Sequence, residues 1–222
     1  MRRFTPILLA AALALALPLS TFASDNDIDK INGSVRVDAS QQVGDVSTVN
    51  GSVHVGEGAR VHQASTVNGS VELGDKAQAS SVETVNGTVS LGSGSRVAGA
   101  VSTVNGSLRL AQGADVAGKL SNVGGSIVLD AAHVAGGIET VTADITVGAN
   151  SRVEGGILVE KSNGGWFHWG NSDRPPVIVI GPHAIVQGTL DFQREVVLKV
   201  SDSAQIGPVK GATVVKFSGA TP

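Results

Sequence analysis

A recurring tetrapeptide constrains the fold of this chain more than any other feature of its sequence. Val-Asn-Gly-Ser or a close variant begins at Ile31, Val49, Val67, Val85 and Val104, in steps of 18, 18, 18 and 19 residues. Degenerate copies begin at Val123 and Val141. A fixed period of this length is typical of a solenoid, in which each repeat is one structural unit stacked on the next.

A shorter period of six residues lies inside each repeat. From Val55 the chain reads VGEGAR, VHQAST, VNGSVE, so that each hexad begins with an apolar residue and three hexads make one repeat. Gly and Asn tolerate the backbone angles that corners require. Stacked coils would pair equivalent strands in parallel, about 4.8 Å apart. The sequence therefore predicts an all-β chain, a single parallel β-helix of about eight to nine coils with three short strands per 18–19-residue coil.

Apolar residues at equivalent positions form columns that we expect to fill the interior. Three columns begin at Val35, Val37 and Val43. A fourth comprises Ile31, Val49, Val67, Val85, Val104, Val123 and Val141. Alternate residues such as Arg36, His54 and Glu72 are predicted to face outward, which is the period-two pattern of a strand.

The asparagines of the tetrapeptide allow two interpretations. One is a structural ladder at a corner, in which stacked side chains exchange amide hydrogen bonds. The other is N-glycosylation, because Asn-Gly-Ser and Asn-Gly-Thr fit the acceptor motif. Their recurrence in register with the apolar columns favours the ladder, whose members are Asn32, Asn50, Asn68, Asn86 and Asn105.

The N terminus predicts export. Arg2 and Arg3 precede an apolar run, and small residues follow at Thr21 and Ala23, so residues 1–23 are interpreted as a signal peptide. The run is too short to predict a membrane span that remains after cleavage. We therefore expect a periplasmic or extracellular protein. The 222-residue chain has no cysteine, a net charge of -3 and no basic run, and a nucleic-acid partner is not expected.

The repeat stops once. Residues 24–159 are predicted to form β-helix coils, 160–176 an inserted loop, 177–210 the final coils and 211–222 a C-terminal tail or cap. In that segment Phe217 would plug the end of the last coil. The inserted loop contains Trp166, Phe167, His168 and Trp169. Exposed Trp rings bind sugars or anchor partner surfaces, which predicts a contact site for an envelope glycan or protein. The alternative is that the rings pack against the rod.

The sequence contains no convincing catalytic or metal-binding pattern. His54 and His62 lie in one coil without a third ligand at a matching position, so no metal and no cofactor are predicted. Gly-x-Ser-x-Gly is absent. We expect a protein that is not an enzyme.

Two corners of the later coils resemble the V-x-G-[DG]-I corner of bactofilins. They are VAGGIET at 134–140 and RVEGGI at 152–157. This resemblance implies a right-handed triangular β-helix that polymerises, here as an exported variant. The hexad is also similar to that of left-handed β-helix acyltransferases, which would imply a transferase with His168 as its base. The leading expectation is a scaffold protein of the bacterial cell envelope that self-associates through its terminal coils.

Overall fold

The structure, a computed structural model, describes residues 26–161 and 174–222. These residues form a parallel β-solenoid of about ten turns with a repeat of about 18 residues, which confirms the predicted parallel β-helix and adds at least one turn to it. Among them there is no helix. The predicted signal peptide and the four aromatic-loop residues lie outside the described residues.

The described chain contains 24 short strands. The first twelve are β1 (Ile28–Asn32), β2 (Val35–Val37), β3 (Val46–Asn50), β4 (Val53–Val55), β5 (Arg60–Asn68), β6 (Val71–Leu73), β7 (Gln78–Asn86), β8 (Val89–Leu91), β9 (Arg96–Val97), β10 (Val101–Leu110), β11 (Asp115–Val116) and β12 (Leu120–Leu129). The others are β13 (His133–Val134), β14 (Ile138–Thr140), β15 (Asp144–Val147), β16 (Arg152–Val153), β17 (Ile157–Val159), β18 (Val177–Ile180), β19 (Ile185–Val186), β20 (Leu190–Phe192), β21 (Val197–Ser201), β22 (Gln205–Ile206), β23 (Val209–Lys210) and β24 (Val214–Phe217).

Each turn has three faces, defined here by the second turn and its equivalents. The first face contains residues 46–50, the second face 53–55 and the third face 60–61. On each face a strand pairs in parallel with its equivalent one turn away. The second face has ten rungs, whose first inward column is Val35, Val53, Val71, Val89, Leu108, Ile127, Ile145, Ile178, Leu198 and Val214.

Three of the four predicted inward columns are confirmed. The members of the columns that begin at Val35 and Val37 are at most 2% exposed through the first seven turns. The third column is buried from Val61 onward, and its first member, Val43, is partly buried. Because the columns consist of Val, Leu, Ile and some Ala, the interior is narrow and apolar.

The prediction for the fourth column, from Ile31 to Val141, is wrong. Val46 and Thr48 point inward on the first face, and period-two alternation places Val49 outside, where it is partly exposed. The pattern misleads because the inward polar residue is satisfied by the backbone. Thr48 Oγ1 donates to the Gly33 carbonyl at 3.0 Å. Equivalent residues, among them Thr66, Thr84 and Thr103, donate to the corner glycine of the preceding turn in the same way.

The corner between the second and third faces needs one left-handed residue per turn. Their φ angles lie between 44° and 74° in Ser40, Gly58, Lys76, Gly94, Gly113, Ala131, Asn150 and His183. Only three of these eight are glycine, so the stacked strands impose this conformation on side chains that disfavour it.

The corner between the third and first faces contains the extra residue of the 19-residue turns. Three steps separate Ala79 from Val82, but four separate the equivalent Val97 from Val101. From this turn onward the corner carries stacked glycines. A Cβ on Gly118 would lie 2.3 Å from the Gly99 carbonyl, so the backbones of successive turns touch there.

The segment predicted to be a tail or cap contributes a further rung. β24 pairs with β21, and Phe217 lies opposite Ser201. Phe217 is partly exposed at the end of this strand.

Candidate functional site

The interruption of the repeat lies in sequence between a first-face strand and a second-face strand. β17 belongs to the first face and β18 to the second, so the interruption connects two strands that Asn-Gly-Ser connects in other turns. Trp166, Phe167, His168 and Trp169 lie outside the described residues, and the prediction that they bind a partner stays a prediction. The residues on either side of the interruption are described.

Both sides of the interruption are fastened to neighbouring turns. The N–H of Glu160 donates to the Thr140 carbonyl at 2.8 Å. On the other side, Asp144 accepts a bond of 2.6 Å from the Arg174 guanidinium and one of 2.8 Å from the N–H of Val177. The solenoid therefore continues in register across the interruption.

Two carboxylates meet beside this corner. Glu139 lies on the outer side of the first face, yet its side chain is only 7% exposed. Its Oε2 accepts a bond of 2.5 Å from Lys119 Nζ. Glu160 lies beside it, and burial, followed by the charge and hydrogen bond of Glu139, raises the pKa of Glu160, while Lys119 opposes this shift. Glu160 therefore keeps its proton to a higher pH than an exposed glutamate does, because its raised pKa favours the neutral form.

Histidines on the outer faces pair with carboxylates of adjacent turns. His54 Nδ1 lies 3.0 Å from Glu72 Oε2, and His133 Nδ1 lies 2.6 Å from Asp115 Oδ1. Both pairs join residues 18 apart, so the repeat length itself could have predicted them from the sequence. His62 pairs with Asp45 at 2.6 Å, with a separation of 17 residues.

His133 belongs to a small charged group on the third face. Its Nε2 lies 3.4 Å from Glu154 Oε1, which also accepts a bond of 3.1 Å from Arg152. These two partners hold the pKa of Glu154 below its usual range, with the Arg152 hydrogen bond as the larger cause. In residues 26–161 and 174–222 no cluster of three or more His, Asp or Glu side chains has the arrangement of a metal site.

The asparagine ladder forms a continuous chain of side-chain hydrogen bonds. Asn50 Nδ2 donates to Asn32 Oδ1 at 3.1 Å, and the next three asparagines, Asn68, Asn86 and Asn105, repeat the bond at 3.0 to 3.2 Å. The serine of the tetrapeptide also stacks, since Ser34 Oγ accepts from the N–H of Ser52. Because these side-chain amides are hydrogen-bonded to one another along the stack, they have a structural role at this corner.

The outer surface beside this ladder is flat and almost uncharged. We call it the Ser-Val-Asn surface and define it by Ser47, Ser65, Ser102 and Ser121, by Val49, Val67, Val85, Val104 and Val123, and by the asparagine ladder. Glu83 occupies the serine position in the fourth turn and is the only charged residue of this surface in the second to sixth turns, and Asp29 occupies the same position in the first turn. At its N-terminal end Ile31 is 71% exposed. The corresponding outward residues of the second face include Arg36, His54, Glu72 and Arg109, and those of the third face Arg60, Arg96, Asp115 and His133.

A lysine occupies an inward position at each end of the rod. Lys30 lies opposite the buried Thr48, and its Nζ donates to the Ser34 carbonyl at 2.9 Å. At the other end Lys216 lies opposite the buried Val200. Both lysines are exposed. The sequence predicted end protection by Phe217 and did not predict these lysines, because the inward parity of the terminal strands was unknown.

Comparison of the chain with family models, with curated proteins and with solved structures finds no match. The class of protein therefore follows from geometry alone, and the chain is a β-solenoid with three parallel faces. Within the described ranges there is no helix long and apolar enough to cross a membrane.

Proposed function

We propose that this chain is a non-enzymatic structural protein that serves as a scaffold in the bacterial cell envelope. The observation that carries the proposal is the uninterrupted stacking of about ten turns into one rod. In such a rod each turn is stabilised mainly by its neighbours, so length and rigidity grow together.

The arrangement of the charged groups supports this proposal. Charged side chains pair between successive turns, as in Asp115 with His133 and Lys119 with Glu139. Such pairs stabilise stacking along the axis. The Glu139–Glu160 pair is engaged with Lys119 in the same way, which is the arrangement of a structural ion pair.

A second candidate is a binding module for an envelope glycan or protein that uses Trp166 and Trp169. The observation that favours it is that both sides of the interruption are hydrogen-bonded to the preceding turn, at Thr140 and Asp144. A rigid base is what a projecting contact site needs. Under both candidates the predicted signal peptide directs the protein to the periplasm or beyond.

The experiment is fractionation of cells that produce the protein, followed by in-cell cross-linking. We expect the naturally processed protein to sediment with the envelope. A variant in which residues 162–173 are replaced by a Gly-Ser linker separates the two candidates, because a scaffold keeps its envelope association and a binding module loses it. A wild-type protein found only in the soluble fraction, without envelope cross-links, would contradict both.

A further inference from the structure

We propose that two copies of this chain associate side by side through the Ser-Val-Asn surface. This inference rests on the proposed scaffold function and specifies how copies of the rod would meet.

The first argument is charge. Glu83 is the only charged side chain of the surface over the second to sixth turns. In the same turns three of five outward positions of the second face and four of five of the third face carry an arginine, a histidine or a carboxylate. The first turn adds Asp29, whose carboxylate accepts a hydrogen bond from Ser47 Oγ. Removing a charged side chain from water without a partner is costly, and small uncharged side chains avoid that cost. The first face is therefore the side of the rod that a second rod can cover with the least penalty.

The second argument is apolar content. Val49, Val67 and their equivalents form an outward apolar column that the interior does not use, and Ile31 extends the column with a 71% exposed side chain. Small side chains on flat sheets allow two sheets to pack face to face at about 10 Å. The rungs of both copies repeat at the same distance, so their columns can interdigitate along the whole surface.

The third argument concerns the ends. A coil stacked on either end would enclose Lys30 or Lys216 in an apolar interior. Inward-pointing charges are a known protection of sheet edges against pairing. These lysines oppose the predicted self-association through terminal coils and favour sideways contact.

The size of the surface sets the expected strength of association between the two copies. Six rungs by five residues cover about 500 Å² per copy, or about 1,000 Å² in a pair, from the usual strand spacings. This total lies at the lower limit of specific interfaces and predicts a reversible, concentration-dependent dimer. A two-fold axis between the third and fourth turns places Glu83 opposite the partner's Ser65 and avoids a contact between two carboxylates.

The test is sedimentation equilibrium of the naturally processed protein over a wide concentration range. We expect a monomer–dimer equilibrium that Val67→Lys weakens at least tenfold, because it places a lysine in the covered surface. Gln78→Lys adds the same charge on the third face, and its dimer should match that of the wild type. Glu83→Ser should tighten the dimer. Circular dichroism checks folding, and Val104→Lys replaces Val67→Lys if that variant is unfolded.

Several results would overturn the proposal. They are a monomer at every concentration, a dimer that Val67→Lys and Val104→Lys leave unchanged, and single-width filaments in electron micrographs. A monomer that instead binds isolated peptidoglycan and loses this binding with Val67→Lys would assign the surface to a glycan. Envelope association in cells is measured separately, so the scaffold function can stand when the dimer fails.

Discussion

Thr66 lies inside the rod although the residue after it, Val67, lies outside. Thr66 is 4% exposed, and its Oγ1 donates to the Gly51 carbonyl at 2.8 Å. A pattern of apolar and polar letters assigns these two residues to the wrong sides, because the hydrogen bond that satisfies Thr66 is made with a residue 15 positions away. Side-chain burial in this corner depends on backbone carbonyls that sequence periodicity does not represent.

Thr66→Val is expected to destabilise the rod although it conserves shape and adds apolar character. The Gly51 carbonyl would lose its hydroxyl donor in a partly buried corner, at a cost of about 1 kcal/mol. Urea unfolding measures the difference. Thr66→Ser keeps the donor and should be closer to the wild type, and a Val variant as stable as the wild type would contradict the buried hydrogen bond.

Gly87→Ala is expected to be among the most damaging single substitutions in the chain. Its Cβ would lie 1.9 Å from the carbonyl oxygen of Gly69 on the preceding turn, so the two backbones would have to separate. Gly124→Ala is the matched control, because there the nearest atom, 3.2 Å away, belongs to the Thr142 side chain. Thermal unfolding should show a loss of several kcal/mol for the first and a small loss for the second. Equal losses would contradict the close backbone contact.

At the scale of the element, the sequence predicted the strands well where interior and exterior alternate without corners. The second face carries Val89 and Leu91 inward with Ser90 between them, and the 18-residue spacing places all of them in register. The sequence could not reveal the pairing of Glu139 with Glu160, since residue 160 was assigned to a loop. The backbone of Glu160 in fact continues the first-face ladder for one more bond.

A charged side chain in the second-face column that contains Val89 tests whether this column faces the interior. Val89 is 0% exposed, and Val89→Asp would bury a carboxylate without a partner, at a cost of several kcal/mol. Ser90→Asp adds the same charge one residue further along, on the partly exposed outer side, and should change stability by about 0.5 kcal/mol or less. Circular dichroism with urea titration compares the two variants. The inward assignment fails if they are equally stable.

At the scale of the whole molecule, we expect the stability of the rod to depend on pH through Glu160. Burial and Glu139 raise its pKa above the usual 4.5 in the folded state. The folded state then holds the proton more tightly than the unfolded state. The resulting stabilisation is fully present below the unfolded pKa and is lost as the pH rises through the folded pKa.

Glu160→Gln removes this dependence, because the amide stays neutral. We expect the melting temperature of the variant, relative to the wild type, to rise between pH 4 and pH 7. Differential scanning calorimetry at both values measures it. Glu57→Gln, on an exposed side chain near Lys76, controls for the general loss of a negative charge. If the melting-temperature difference between the variant and the wild type is the same at pH 4 and pH 7, Glu160 does not link folding stability to proton binding.

The interruption after Val159 has a consequence for how the chain closes its turns. Most paired rungs on the second face are 18 or 19 residues apart in sequence, but Ile145 and Ile178 are 33 apart. Loop-closure entropy grows with the logarithm of length, so the longer turn costs only about 0.5 kcal/mol more than its neighbours. A corner that accepts fifteen additional residues at so small an entropic penalty can accept others. Foreign peptides or small domains could be grafted at this position and displayed from a rigid rod.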